Sequence, residues 1–250
     1  MNQSVLKALT LLELFQDDIE VLSLKDIAEQ AGMPKPTTYR LLTALEQKGY
    51  VSRVKDEEGG KYRLGLKLLE LGSLVANRIE IREIALPYMR ALAKDLNEVV
   101  HLVVVNHEQA TYIEKVESTR ALRLYTKVGK SVPLYLGSGP KLLLAYLPEE
   151  KQQEIVQQSE LRSMHRLVKQ EELLQELRQI RENGFAYSVG EQDEDTTGVS
   201  YPIFNHHSQM IAALAISGLS SRFSGDNLQR IKEKTKRAAE RISKKLGYRS

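Results

Sequence analysis

The residues at positions 31–36, Ala-Gly-Met-Pro-Lys-Pro, constrain this chain more than any other stretch, because they force a sharp turn between two short helices. Before them, Leu24, Ile27, Ala28 and Ala31 recur at helical spacing, and Gly32 can take the left-handed conformation that ends a helix. After them, Pro36 is tolerated only in the first turn of a new helix, since proline lacks the amide hydrogen that later turns need. Leu41, Leu42 and Leu45 form the apolar side of that second helix, while Lys35, Thr37, Thr38, Tyr39 and Arg40 lie at or near its start. A helix-turn-helix needs this layout: one side docks on a small bundle, and side chains near the start of the second helix read base edges. Duplex DNA is therefore the first ligand to expect.

The residues after the second helix agree. Tyr50 to Val54 and Lys61 to Leu64 are short β-prone runs separated by a turn that ends in Gly59-Gly60, so helix, hairpin and helix make a winged helix-turn-helix. Arg53, Lys55, Lys61 and Arg63 on the hairpin are each placed to meet a phosphate. The plain alternative is a small helical domain whose hairpin only packs. Charge does not decide between them: residues 1–65 hold nine Lys/Arg against ten Asp/Glu. A near-neutral segment binds DNA weakly as a single copy, so two or more copies on one site are expected.

At 250 residues the chain has room for two domains, and its net charge of +3 does not mark a polycation. Cysteine is absent, which excludes disulfides, thiol nucleophiles and Cys-ligated zinc. No apolar run approaches the ~20 residues of a membrane span, and Met1 to Ser4 leads into an amphipathic helix and not a signal peptide. A cytoplasmic protein with no membrane contact is expected.

Val5, Leu6, Leu9, Leu12, Leu14 and Phe15 mark an opening helix that caps the helix-turn-helix. Leu66 to Ile79 reads as a connecting helix that also contacts a second subunit, and Ile81 to Leu96 as a helix broken or kinked at Pro87. Strands are expected at Val99–Val105, Thr111–Val116, Ala121–Thr126, Tyr187–Val189, Val199–Phe204 and Ile211–Ile216. Helices are expected at Leu142–Tyr146, Glu149–Gln158, Glu171–Glu182 and Gly225–Leu246. The whole is α+β, with domains at 1–65 and 81–250 joined by the 66–80 helix. Residues 222–250 carry ten Lys/Arg against three Asp/Glu, which reads as the solvated face of a docked helix.

Catalytic motifs fail on inspection. Gly129-Lys130-Ser131 ends like a phosphate-binding loop, yet Leu124 stands where its first glycine belongs. Gly137-Ser138-Gly139 lacks the spacing of a nucleophile elbow, and the acidic alternation from Glu191 to Thr197 has Thr196 where a calcium loop needs glycine. His206 and His207 are adjacent and diverge, so no metal site and no cofactor is expected, and nothing nominates an enzyme. The segment Val132 to Lys141 does offer a site, running from a strand end through a glycine turn into a helix with Ser138 and Gly139 near its cap. Free N–H groups there suit a carboxylate or phosphate oxygen, though an ordinary helix cap explains the same residues. The loop Glu191 to Gly198, and Ser217 at a strand end, are placed to line the other side.

With these pieces in place, the chain resembles the IclR family of bacterial transcriptional regulators over nearly its whole length. The likeness lies in LKDIAEQAGMPKPTTYRLLTALEQKGYV, KYRLG, LKLLELG, VPLYLGSGPKLLLA, GFAYSVGEQDEDTTGVSYPIF and AALAISGLSSRFS. It implies a C-terminal GAF-like effector domain, dimers or tetramers on palindromic operators, and small organic acids or aromatic metabolites as effectors. Carried over by position, the effector contacts are Val132, Ser138, Gly139, Ala215 and Ser217. Departures are Tyr135 for a usual histidine, Pro140 for a usual glycine, and Gly198 for a cysteine that would line the pocket. Lys127, Lys130 and Lys141 near the mouth suit a small organic or sugar acid. The resulting expectation is an effector-controlled repressor, in which ligand changes the spacing of paired DNA-binding domains through the connecting helix. A metabolite-binding enzyme or sensor, whose helix-turn-helix serves protein contacts, is the rival.

Overall fold

The computed structural model describes residues 3–15, 19–54, 60–76, 80–120, 126–158 and 169–249, in two compact units, Met1–Arg78 and Ile79–Ser250. The first unit runs α1 (Gln3–Glu13), β1 (Leu22–Ser23), α2 (Leu24–Gln30), α3 (Lys35–Gln47), β2 (Val51–Val54), β3 (Lys61–Leu64) and α4 (Leu66–Ala76). Ser23 starts α2 with a capping box: its hydroxyl accepts from the Asp26 amide at 3.2 Å, and its own amide donates to the Asp26 carboxylate at 3.3 Å. Gly32 takes φ +60°, which turns the chain so that the Met33 amide reaches the Ala28 carbonyl at 3.0 Å and α3 leaves at an angle. Leu11, Ile27, Leu42, Val51 and Tyr62 close the core.

Two features of this unit depart from the sequence reading. Leu22 and Ser23 pair with Tyr62 and Lys61, so the wing is a sheet of order β1-β3-β2; two residues are too few to show a periodicity. The opening helix is anchored by Leu11, with Leu12, Leu14 and Phe15 packed beside it, whereas Val5, Leu6 and Leu9 are 53%, 41% and 49% exposed. The apolar side of α1 is therefore split between the core and solvent.

The second unit is a sheet of order β6-β5-β4-β9-β8-β7, antiparallel at every described pairing. Its strands are β4 (Val99–Asn106), β5 (Gln109–Val116), β6 (Ser131–Pro133), β7 (Ala186–Val189), β8 (Thr196–Phe204) and β9 (Met210–Leu219). Helices α5 (Glu80–Leu96) and α9 (Gly225–Lys245) share one buried cluster with Val100, Leu102, Val199, Ile203, Leu214 and Ile216. On the opposite side, α6 (Ser138–Tyr146), α7 (Glu149–Gln158) and α8 (Gln170–Asn183) share another with Val103, Ala110, Tyr112, Ala213 and Ala215. The two-residue alternation of β9 decides the allocation: Ala212, Leu214 and Ile216 serve the first, Ala213 and Ala215 the second. Small residues on the α6 side let the helix start come close, and a Cβ on Gly139 would sit 3.3 Å from Val103 and 3.5 Å from Ala215.

Of the break or kink expected at Pro87, the break is absent, and α5 runs through the proline. Ala85, Met89, Leu92 and Ala93, before and after the proline, are buried in the first cluster, and that burial offsets the ~3 kcal/mol that an interior proline costs. The expected strand at 121–126 lies outside the described residues except for Thr126, as do residues 77–79 of the expected connecting helix. One close approach in the first unit is testable. A Cβ on Gly65 would land on the Gly49 carbonyl, backbone that cannot swing aside, in a turn where the Gly65 amide donates to Tyr50 at 2.7 Å. Gly65→Ala should destabilise this unit by about 1–3 kcal/mol, seen as faster amide exchange in α3 and β2 with the sheet of the second unit unchanged.

Candidate functional site

The start of α3 is the exposed edge of the first unit. Pro34 caps it without a side-chain bond and Pro36 lies in its first turn, so the initial amides are not used up by a polar cap. Lys35, Tyr39 and Arg40 are exposed there, and Thr37 is half-buried. Thr38 corrects the sequence reading: it is 0% exposed, and its hydroxyl donates to the Pro34 carbonyl at 3.2 Å. It fixes the helix start and has no surface to offer a base.

The wing is tied to this helix through Arg53. Its guanidinium lies 5.5 Å from the Tyr39 ring centre and 5.4 Å from that of Tyr62, and its Nε is 3.2 Å from the Glu46 carboxylate. The hydrogen bond from Arg53, then its charge, hold the Tyr39 phenol below its ordinary pKa. Arg53 thus braces the wing against α3 before any phosphate is considered. Arg63 is exposed on β3 with its Nε donating to Ser52 at 3.1 Å, and Lys61 is half-buried on the same strand. Lys55 lies outside the described residues.

The second unit holds a cavity of about 40 Å³ where the start of α6 meets the sheet. That is room for a few waters at most. Gly137, Ser138 and Gly139 form one wall, Ala215 and Ser217 of β9 another, and Glu191 to Asp193 with Thr196 to Gly198 line the rest. Gly198 keeps the space open: a Cβ there would lie 2.6 Å from the Ser138 hydroxyl, 3.2 Å from that of Ser188 and 3.4 Å from that of Ser217. Four of the five expected effector contacts, Ser138, Gly139, Ala215 and Ser217, line this cavity. Val132 does not; it pairs with Ala110 in the sheet and packs on the second buried cluster.

Two features here escaped the sequence reading. The first is His101 on β4, 2% exposed, lining the cavity with its Nδ1 unpartnered among the described residues. Its Nε2 is 3.5 Å from the Thr126 hydroxyl, and its ring meets Tyr112 edge-on at 5.3 Å. Burial, and then the charge of Lys115, lower its pKa to about 3, so the imidazole is neutral. An orphaned buried nitrogen of this kind costs about 1–3 kcal/mol. Its signal in the sequence was a single polar residue between Val100 and Leu102, both of which face the other side of the sheet.

The second is the filling of the helix start. Gly137, at φ +94°, donates its amide to the Glu191 carboxylate at 2.8 Å. The other oxygen of Glu191 is 2.6 Å from the Lys141 ammonium, which also pairs with Glu176. Gln192 closes the same corner, donating to the Leu136 carbonyl at 2.7 Å and to the Tyr112 hydroxyl at 3.1 Å. Lys127, Lys130 and Lys141, expected near the mouth, are not among the residues that line the cavity.

Comparison with known proteins decides the family. The model of the IclR helix-turn-helix domain matches residues 4–55, and that of the bacterial transcriptional regulator IclR C-terminal domain matches residues 73–244. The chain belongs to the IclR family. This IclR-family protein is a DNA-binding transcriptional regulator whose C-terminal domain is of the effector-binding type. The HTH-type transcriptional regulator KipR of Bacillus subtilis is 39% identical to it over 249 residues, covering 99% of this chain and 98% of KipR. XynR of Escherichia coli is 33% identical over 248 residues, covering 98% of each. The crystal structure of Thermotoga maritima IclR matches with TM-score 0.78 at 32% identity, covering 98% of this chain and 99% of that one. An IclR homolog from Microbacterium hydrocarbonoxydans, crystallised with 4-hydroxybenzoate, matches with TM-score 0.83 at 25% identity and the same coverage.

The neutral His101 makes this regulator sensitive to acid. In the unfolded chain the imidazole takes a proton near pH 6.5, in the folded chain only near 3, so the unfolded state binds more protons between those values. Stability therefore falls as pH drops below about 6.5, with a slope approaching ~1.4 kcal/mol per pH unit. His101→Gln should melt with a visibly shallower dependence between pH 6.5 and 5 than the natural chain, and parallel slopes would assign the sensitivity to other groups.

Proposed function

We propose that this regulator represses a catabolic operon by binding a palindromic operator as a dimer or tetramer, and that a small organic acid entering the cavity relieves repression. The reading is carried by the exposed start of α3, where Lys35, Tyr39 and Arg40 stand clear of the domain core. These residues and Thr37 meet the major groove and its flanking phosphates, while Lys55, Lys61 and Arg63 of the wing meet the adjacent backbone. Residues 1–65 act as the DNA-binding part, 66–80 as the connecting helix and 81–250 as the effector domain.

Unpartnered apolar surface supports assembly. Leu66, Leu69 and Leu74 of α4 are 82%, 68% and 52% exposed, a stripe more apolar than a lone solvated helix carries, and Val5, Leu6 and Leu9 of α1 add to it. An acidic effector is supported by the hydroxyl-rich cavity at a helix start and by the 4-hydroxybenzoate held by the Microbacterium relative. Effector binding favours one spacing of the paired DNA-binding domains over another, which the differential affinity of the ligand for the two arrangements drives. Among the described residues no helix is long and apolar enough to cross a membrane, which agrees with a cytoplasmic setting. We read no catalytic role into the site.

Selection of bound duplexes from genomic fragments, with affinity then measured against salt, tests the DNA half of this reading. Arg40→Ala should weaken operator binding at least ~5-fold while leaving the melting temperature unchanged; unchanged binding removes α3 as the reader. Gly198→Ala tests the cavity, because its methyl group alone would take up the space beside the Ser138 hydroxyl, 2.6 Å away. That variant should bind the operator normally and lose induction by the carbon source that relieves wild-type repression.

A further inference from the structure

We propose that a cleft at the open end of β8, separate from the cavity at the start of α6 and independent of what that cavity binds, is a nucleotide site. Its aromatic wall takes the base and its basic rim takes the phosphate.

The cleft exists because the sheet stops short on one side. β9 follows β8 as far as Phe204, but β7 pairs with it only from Thr197 to Ser200, so Tyr201 to Phe204 have no strand beyond them among the described residues. A bare edge of that kind invites another strand. Here Pro202 brings no amide hydrogen, and the Phe204 amide donates to the Ser243 hydroxyl at 3.0 Å, so the edge is poor in the free donors that an added strand would pair with. Side chains do the lining instead. The cleft measures about 680 Å³ and lies between the ends of α6 and α8 and the second half of α9. Sites for small molecules commonly fall within ~300–1,000 Å³.

The wall is aromatic. Tyr146, Tyr201, Phe204 and Tyr248 all line the cleft. The Phe204 and Tyr248 rings stack at 5.0 Å, and Tyr146 meets Phe204 edge-on at 5.7 Å, so three of the four brace one another. Rings held in this way suit a flat ligand, and stacking is open to any base because each has a π-face.

The rim is basic. Lys236, Lys244 and Arg249 stand against one carboxylate, Glu240, whose pairing with Lys236 is long, at 4.0 Å, and exposed. Other cations of α9 are committed: Arg230 and Lys234 hold Asp95, Arg237 holds Glu233, and the Lys232 ammonium lies 4.5 Å from the Phe185 ring centre. Lys244 and Arg249 pair with no carboxylate among the described residues. Three cations against one acid leave two net positive charges beside the rings, which the dianion of a phosphate monoester neutralises. Only a ligand with both parts uses the whole cleft: free phosphate has nothing for the rings, and a nucleoside has nothing for the rim.

The test titrates the full-length protein with AMP, adenosine and inorganic phosphate by calorimetry. AMP should bind at least ~10-fold more tightly than either of its halves. Lys244→Gln and Arg249→Gln together, both at exposed positions, should weaken AMP at least ~10-fold and leave adenosine unmoved. Tyr248→Ala should weaken AMP and adenosine alike by at least ~5-fold, and Tyr248→Phe, which keeps the ring, should restore both. Gly198→Ala, which crowds the other cavity, should bind AMP as the natural chain does. Phosphate binding as tightly as AMP, AMP binding that the Lys244 and Arg249 changes leave intact, or AMP binding lost in Gly198→Ala each overturns the proposal. Light scattering and operator affinity without nucleotide complete the test. A smaller assembly in the double variant gives the cleft to a second copy of the chain, weaker operator binding gives its rim to DNA, and either result overturns the nucleotide assignment.

Discussion

A single buried ammonium organises the α6 side of the second unit. Lys141 sits in the run Lys141-Leu142-Leu143-Leu144, all buried, where an unpaired charge would be untenable. Its partners come from two different places, Glu176 on α8 and Glu191 on the loop before β8. One residue thereby fixes the orientation of the first turn of α6, the approach of α8 and the fold of the loop. The rest of the site depends on that fixed turn: Ser138 bonds Ser200 at 2.7 Å, Gly139 lies against Val103 and Ala215, and the hydroxyls gather around Gly198.

This dependence shows why the site was only partly legible in the sequence. The glycine turn, Pro140 at the helix start and the late strands were readable, because local chain chemistry and alternation dictate them. The pairing of Glu191 with Gly137 spans 54 residues and leaves no local trace. The strands were also read too short. β8 begins at Thr196 and β9 runs to Leu219, because Thr197 pairs with Gly218 and Gly198 with Ser217, small and polar residues without an apolar pattern. Those unpatterned ends are where the cavity lies. Val132 stays outside the cavity lining for a related reason: its β-ladder partner Ala110 and the second cluster engage it.

In the first unit the legible part was the turn at Gly32 and the prolines around it, where backbone chemistry leaves few choices. The misread part was Thr38, since a polar residue near a helix start looks like a reader until its hydroxyl is found satisfying the Pro34 carbonyl. Arg53 carries a similar lesson. A wing arginine looks like a phosphate contact, yet two tyrosine rings and Glu46 already engage it. With ten acids against nine bases over residues 1–65, such commitments leave few cations for the duplex. The exposed leucines of α4 are apolar surface of the kind that the proposed pairing of two such units on one operator requires.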